Sequence, residues 1–263
     1  RRSMSRRKKR GGRNTSPGYS EGVRAKKHLG QNFLRDLGVA RRIAGLLELR
    51  SLKNVLEIGP GTGILTRYLL RRPIRLKAVE LDEESVAFLQ GAFRESLPEQ
   101  NLPYEGFEVL HPDFLQLDLA QCFDGEPFAI TGNFPYNISS QIVFKTLENK
   151  ELIPEFSGMF QKEVAQRICA EPGNKTYGIL SVLTQAYYKA EYAFTVPPEV
   201  FQPPPKVESG VIRLTRKTAG EAEWDEGLLR HVVKTAFNQR RKTLRNSLKS
   251  LGLSDNLRED AIF

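Results

Sequence analysis

Residues 57–63 read Glu57-Ile58-Gly59-Pro60-Gly61-Thr62-Gly63, and the reading of this stretch decides the fold. The apolar run before it, 53–58, suits a buried strand, and the apolar residues over 62–71 recur at helical spacing. Glycines at such a junction let the backbone approach a ligand closely. The spacing is not that of the dinucleotide loop, which needs a glycine where Ile64 stands, nor of a P-loop, since no Gly-Lys-Ser/Thr follows. It suits a nucleoside ligand that carries no pyrophosphate.

Outward from this junction, strands expected at 75–80, 107–110 and 127–132 alternate with helices at 83–93 and 138–149, and a helix over 36–49 precedes them. Such alternation predicts the α/β class, with a Rossmann-like parallel sheet and helices on both faces. A strand at 156–161 and a helix near 162–170 continue the pattern. Residues 181–196 and 207–214 read as two further strands joined through Pro197, Pro198, Pro203, Pro204 and Pro205, an antiparallel pair at the sheet edge. Beyond about residue 218 the periodicity is only helical. Three parts are therefore expected: a disordered basic tail over 1–27, the main ligand-binding domain over 28–217 and a small C-terminal helical domain over 218–263.

Polar residues stand at the ends of these strands. Glu80 closes the second, where a carboxylate can accept from both hydroxyls of a ribose. Asp113, in His111-Pro112-Asp113-Phe114, follows the third and can accept from an adenine amine. Asn133-Phe134-Pro135-Tyr136-Asn137 follows the fourth. There the Asn133 side chain and the Phe134 carbonyl can accept both hydrogens of an exocyclic amine, while Tyr136 stacks on the ring. Pro135 fixes the turn and brings no competing N–H. A plain strand-end turn around a buried tyrosine would use the same residues. Ligands of open α/β sheets bind at the carboxyl ends of the strands, so the set as a whole reads as an S-adenosylmethionine site beside a loop that grips an amine.

The 263 residues carry a net charge of +9, with a pI of about 9.6. Residues 1–27 hold eleven Lys/Arg against one Glu, a composition that cannot bury a core. A second cluster, Arg230, Lys234, Arg240, Arg241, Lys242, Arg245 and Lys249, interleaves with apolar residues at helical spacing. Helices with one cationic face point to a polyanion, nucleic acid rather than membrane, or else to a solvated surface. Arg240, Arg241, Lys242 and Arg245 are the candidate phosphate contacts, or alternatively structural partners of acids. No run of apolar residues approaches membrane-spanning length, and the basic start lacks a signal peptide's apolar segment. Met4 reads as the natural start. Cys122 and Cys169 form no CxxC, and His28, His111 and His231 have no metal-ligand spacing. A reducing, cytoplasmic setting without a metal is expected, and a monomer, since no long apolar surface stripe is evident.

The chain resembles the bacterial small-subunit ribosomal RNA adenine dimethyltransferases, whose loss gives kasugamycin resistance. The resemblance is carried by His28-Leu29-Gly30-Gln31-Asn32-Phe33-Leu34, the Gly59 loop, Val79-Glu80-Leu81-Asp82 and Asn133-Phe134-Pro135-Tyr136-Asn137. Further on it is carried by 161–167, 177–182, 203–207 and 237–245. It implies that Asn32 and Leu34 cover S-adenosylmethionine, in a site completed by Gly59, Gly61, Glu80, Asp113 and Asn133. It implies that Phe201 joins Tyr136 in sandwiching the target base. It implies dimethylation at N6 of two adjacent adenosines near the 3′ end of small-subunit rRNA, late in 30S assembly. The family usually carries one or two more helices after Arg245-Asn246-Ser247-Leu248, so a truncated or disordered C-terminus is expected at Phe263.

Three alternatives stand beside this. The macrolide-resistance methyltransferases of large-subunit rRNA share the Gln-Asn-Phe and Asn-x-Pro-Tyr motifs but generally lack the 163–167 and 237–245 blocks. A non-catalytic assembly factor is opposed by intact Glu80, Asp113, Asn133 and Tyr136. A DNA adenine methyltransferase would normally have proline where Phe134 stands.

Overall fold

The structure is a computed structural model that describes residues 19–20, 22–103, 105–218, 224–252 and 254. Its centre is a seven-stranded sheet. We number the strands β1 Asn54–Ile58, β2 Arg75–Val79, β3 Phe107–Leu110, β4 Ala129–Gly132, β5 Glu155–Gln161, β6 Tyr188–Val196 and β7 Ser209–Arg216. Their spatial order is β3-β2-β1-β4-β5-β7-β6. The first five are parallel, and β7 pairs antiparallel with both β5 and β6. The parallel strands are legible in sequence because both their faces are covered, which makes them nearly continuous apolar runs.

Alternation along each strand splits the core in two. Val55, Leu76, Ala78, Ala129 and Met159 face one side, together with Ile43 and Leu47 from α1 (Leu37–Leu46) and its end, and Leu65 and Leu69 from α2 (Ile64–Leu69). Phe93, beyond α3 (Glu83–Phe88), packs on the same side. Leu56, Ile58, Ile130, Phe156 and Phe160 face the other side. There they meet α4 (Ser139–Glu148), α5 (Lys162–Cys169), α6 (Ile179–Tyr187) and α7 (Glu226–Asn238) through Ile142, Ile168, Leu183 and Val233. A short α8 (Leu244–Ser247) follows. The described part of the C-terminal helices is thus packed on the main core.

Two expectations change. Residues 181–187 are helix, not strand: α6 runs to Tyr187 and β6 begins at Tyr188. The run Ile179-Leu180-Ser181-Val182-Leu183 is too evenly apolar for its period to show. The helix is set by Ser181, whose Oγ accepts from the Gly178 N–H (3.1 Å) and donates to the Arg167 carbonyl. Second, the tail expected to reach Lys27 gives way to structure before that. Tyr19–Ser20 and Val23–Arg24 form a hairpin, Val23 is buried, and the Lys26 ammonium pairs with the buried Asp82 carboxylate. Residues 1–18 lie outside the described residues, as do 219–223 at the expected domain boundary and 255–263 at the C-terminus.

β1 and β4 approach one another closely at their ends. A Cβ at Gly132 would lie 2.3 Å from the Ile58 carbonyl oxygen, and one at Gly158 on β5 would lie 2.3 Å from the Phe134 ring. Gly132→Ala is therefore expected to cost about 3 kcal/mol or more of stability. Gly45→Ala, in α1 with open space around it, is expected to gain about 0.5–1 kcal/mol. Denaturant titration of both variants checks the contrast.

Candidate active site

The sheet's strand order reverses between β1 and β4, the place where open α/β sheets leave a crevice. After β1 the chain turns to one face through Gly59, Gly61 and Gly63, all with left-handed φ (67°, 56° and 79°). After β4 it turns to the other face through 133–138 into α4. Between the two turns lies a cleft of about 1080 Å³ including its open mouth, with residues 29–34 laid across it. Phe33 closes down on the glycine loop so tightly that a Cβ at Gly61 would sit 2.9 Å from its ring.

Acids line the cofactor side. Glu80 is buried, and each of its carboxylate oxygens accepts one main-chain N–H, from Gly61 and from Asp82, both at 3.0 Å. Burial pushes its pKa up, against the pull of these two donors. An ionised carboxylate has lone pairs left after two such bonds, enough to take a ribose diol. Asp113 accepts from the Leu115 N–H through Oδ1 (2.9 Å) as the cap of a 3₁₀ turn, Phe114–Gln116. Glu57, buried at 1% exposure, accepts from Thr66 Oγ1 through Oε2 (2.7 Å), while its Oε1 has no partner. Burial pushes the Glu57 pKa to about 8; the Thr66 hydrogen bond opposes that, and the charge of Glu80 adds to it. An orphaned carboxylate oxygen in the wall of a nucleoside cleft fits a ligand with a cationic amine, and the amino-acid end of S-adenosylmethionine supplies one.

The turn after β4 is held from behind. The Phe134 ring is fully buried against Phe156 (5.1 Å between centroids) and Phe160 (4.7 Å), and its N–H donates to the Met159 carbonyl (3.1 Å). No described donor reaches its carbonyl oxygen. Asn133 Nδ2 donates to the Asn32 carbonyl (3.0 Å). Because that partner is an acceptor only, the amide orientation is decided, and Oδ1 is left without a described donor. Tyr136 shares a hydrogen bond with Ser209 Oγ at the start of β7, and burial raises its pKa against that bond.

The cleft brings together Asn32, Leu34, Gly59, Gly61, Glu80, Asp113, Asn133, Phe134, Pro135 and Tyr136. It does not include Phe201. That ring is 2% exposed, because Phe201–Gln202 pairs antiparallel with Phe33–Leu34 and is covered by them in the core. Of the two residues expected to sandwich a base, the cleft lining includes Tyr136 alone. Among the basic residues, Arg240 is occupied: its guanidinium donates to the carbonyls of Lys175 (2.8 Å) and Tyr177 (2.6 Å). Arg241, Lys242 and Arg245 are exposed and form no ion pair among the described residues. Glu57 was missed in the sequence reading; its signal was an acid at the last inward position before the glycine loop. Among the described residues no cluster of His, Cys, Asp or Glu could hold a metal ion, and no helix is long and apolar enough to cross a membrane.

The family model of ribosomal RNA adenine dimethylase matches residues 22–261. The chain is 57% identical over 243 residues to ribosomal RNA small subunit methyltransferase A of Flavobacterium johnsoniae, covering 92% of this chain and 90% of that one. The protein of the same name in Bacteroides thetaiotaomicron is 55% identical over 242 residues, covering 92% and 87%. Among solved structures, a dimethyladenosine transferase from Plasmodium falciparum superposes with a TM-score of 0.72 at 28% identity, over 82% of this chain and 74% of that one. The 23S rRNA methyltransferase ErmE superposes with a TM-score of 0.67 at 32% identity, over 83% and 84%.

The Glu57 environment generates a pH dependence. Its folded pKa of about 8 lies above the ordinary 4.5, so its contribution to stability is full below the lower value and lost as pH rises through the upper one. Glu57→Gln, neutral throughout, lacks this loss. Its Tm relative to the parent is expected to improve steadily between about pH 5 and about pH 8 and to level off above. Thermal melts of both proteins across that range check it.

Proposed function

We propose that this chain, which belongs to the ribosomal RNA adenine dimethylase family, dimethylates N6 of two adjacent adenosines in the 3′-terminal hairpin of small-subunit rRNA, with S-adenosylmethionine as donor. The observation that carries this reading is the Asn133 turn, whose two free acceptors stand beside an acid-lined nucleoside cleft. The small subunit is favoured over the large because identity reaches 57% with relatives named for the small subunit. It is 32% with the 23S enzyme, whose fold is nevertheless shared. A 30S assembly intermediate is the proposed partner, a monomer the proposed state and the bacterial cytoplasm, where ribosomes assemble, the proposed setting.

The donor supplies an activated methyl group on a sulfonium. Glu80 would hold its ribose, Asp113 its adenine amine and Glu57 its ammonium, while Asn32 and Leu34 cover it. Asn133 Oδ1 and the Phe134 carbonyl would accept the two hydrogens of the target amine. An adenine N6 lone pair is delocalised into the ring and weakly nucleophilic. Accepting both hydrogens favours a tetrahedral nitrogen with its lone pair directed at the methyl group, so positioning and electrostatic fit carry the rate. Tyr136, braced by Ser209, would stack on the ring. The proton released from N6 goes to solvent. A second methylation uses one of the two acceptors, since a single hydrogen then remains. The base must leave its stack, which favours a loop over a paired stem.

Wild-type protein is expected to label two adjacent adenosines of small subunits lacking this methylation, and Asn133→Ala to transfer roughly 100-fold more slowly. Near-normal turnover by that variant, with donor binding intact, would sink the assignment; label confined to large subunits would move it to the other subunit. Arg241→Ala is expected to lower the slope of log affinity against log salt by about 1. Arg240→Ala is expected to leave the slope unchanged and lower the Tm, since its guanidinium is committed to main-chain carbonyls.

A further inference from the structure

Lys145 lies on α4, behind the cleft rather than in it. Among the described residues no carboxylate pairs with it. Its ammonium instead donates to three main-chain carbonyls, Phe114 (2.8 Å), Leu115 (2.9 Å) and Leu117. All three belong to the 3₁₀ turn that follows Asp113 or to its immediate end. A turn of this kind leaves N–H groups open at its start and carbonyls open at its finish. Asp113 closes the start by accepting from Leu115, and Lys145 brings all three of its donors to the Leu115 and Leu117 carbonyls and to that of Phe114, which also accepts from the Leu117 N–H (3.2 Å).

The choice of lysine is costly. Burial lowers its pKa, and ordering a long side chain loses rotamer freedom. A methionine would cover the Phe114 ring, which the ammonium overlies at 5.2 Å, without either cost. What lysine adds is three donors on one turn, which fix the segment that carries Asp113. A carboxylate is an acceptor only. It attracts an exocyclic amine and repels a ring carbonyl, so it discriminates adenine from a 6-oxopurine.

The geometry points to Lys145 as a positioning residue that holds the Asp113 turn in place, so that the cleft selects an adenine-bearing cofactor. This rests on the reading that the cofactor amine meets Asp113. Calorimetric binding of S-adenosylhomocysteine is compared with that of its hypoxanthine counterpart, in which oxygen replaces the amine, on the full chain. Wild-type protein is expected to prefer the adenine ligand roughly 10- to 100-fold, as for a hydrogen bond to a charged group. Lys145→Met is expected to shrink that ratio to about threefold or less by weakening the adenine ligand alone, the hypoxanthine ligand binding as before.

Equal weakening of both ligands would mean that Lys145 only supports the fold, and an unchanged ratio would mean that it supports nothing relevant; either overturns the inference. Asp113→Asn keeps the cap on Leu115 and removes the charge, and it is expected to abolish the preference. If Asp113→Asn retains the full preference, the amine is not read at Asp113 and the underlying reading fails instead. Should Lys145→Met not fold, Lys145→Gln, which keeps two donors without the charge, is judged by the same two ratios.

Discussion

Two neighbouring parallel strands, β1 and β4, send the chain to opposite faces of the sheet, and the rest of the molecule is arranged around the gap this leaves. Their ends are as close as backbones can come, glycine against carbonyl, so the gap has a rigid floor. One wall is the glycine loop with its acids, and the other is the turn that begins at Asn133. The segment 29–34 lies across the gap and joins the walls through the Asn32 carbonyl. One hydrogen bond thereby serves two purposes: it seats the covering segment and leaves the Asn133 oxygen without a described donor.

The charges are divided accordingly. The chain carries +9 overall, yet Glu57, Glu80 and Asp113 line the cleft and form no ion pair among the described residues. Main-chain N–H groups and one threonine hydroxyl hold them instead, and Glu57 Oε1 is left without a partner. Burial raises the pKa of Glu57 to about 8 and raises that of Glu80, so the cleft offers buried hydrogen-bonding acids while the basic residues Arg241, Lys242 and Arg245 stand on the outer surface.

Much of this was legible in the sequence. Parallel strands buried on both faces are continuous apolar runs, and the polar residues at their ends stand out against them, although Asp113, Glu80 and Asn133 also hold backbone groups around the cleft. What escaped depends on contacts between distant residues. The 179–187 segment is uniformly apolar, and its helical state is decided by Ser181 reaching Gly178 and Arg167. Phe201 disappears into the core because a two-residue ribbon with Phe33–Leu34 covers it. Arg240 looks like its exposed neighbours in sequence, and only the fold shows that carbonyls of a distant loop occupy it. A single lysine in an amphipathic helix carried no hint of the turn it closes.

The glycine-floored gap also bears on how such proteins diverge. At Gly132 and Gly158 a single added carbon meets a backbone oxygen or an aromatic ring, so these positions admit no drift. The covering segment carries a milder form of the restriction at Gly30, whose φ is 66° and whose added Cβ would lie 3.0 Å from Asn137 Oδ1, whereas Gly45 in α1 has open space around it. Substitution is thereby constrained unevenly, most tightly at the floor where the cleft is built. Chains 28% and 32% identical to this one superpose on it at TM-scores of 0.72 and 0.67, so the frame around that floor is kept at low identity.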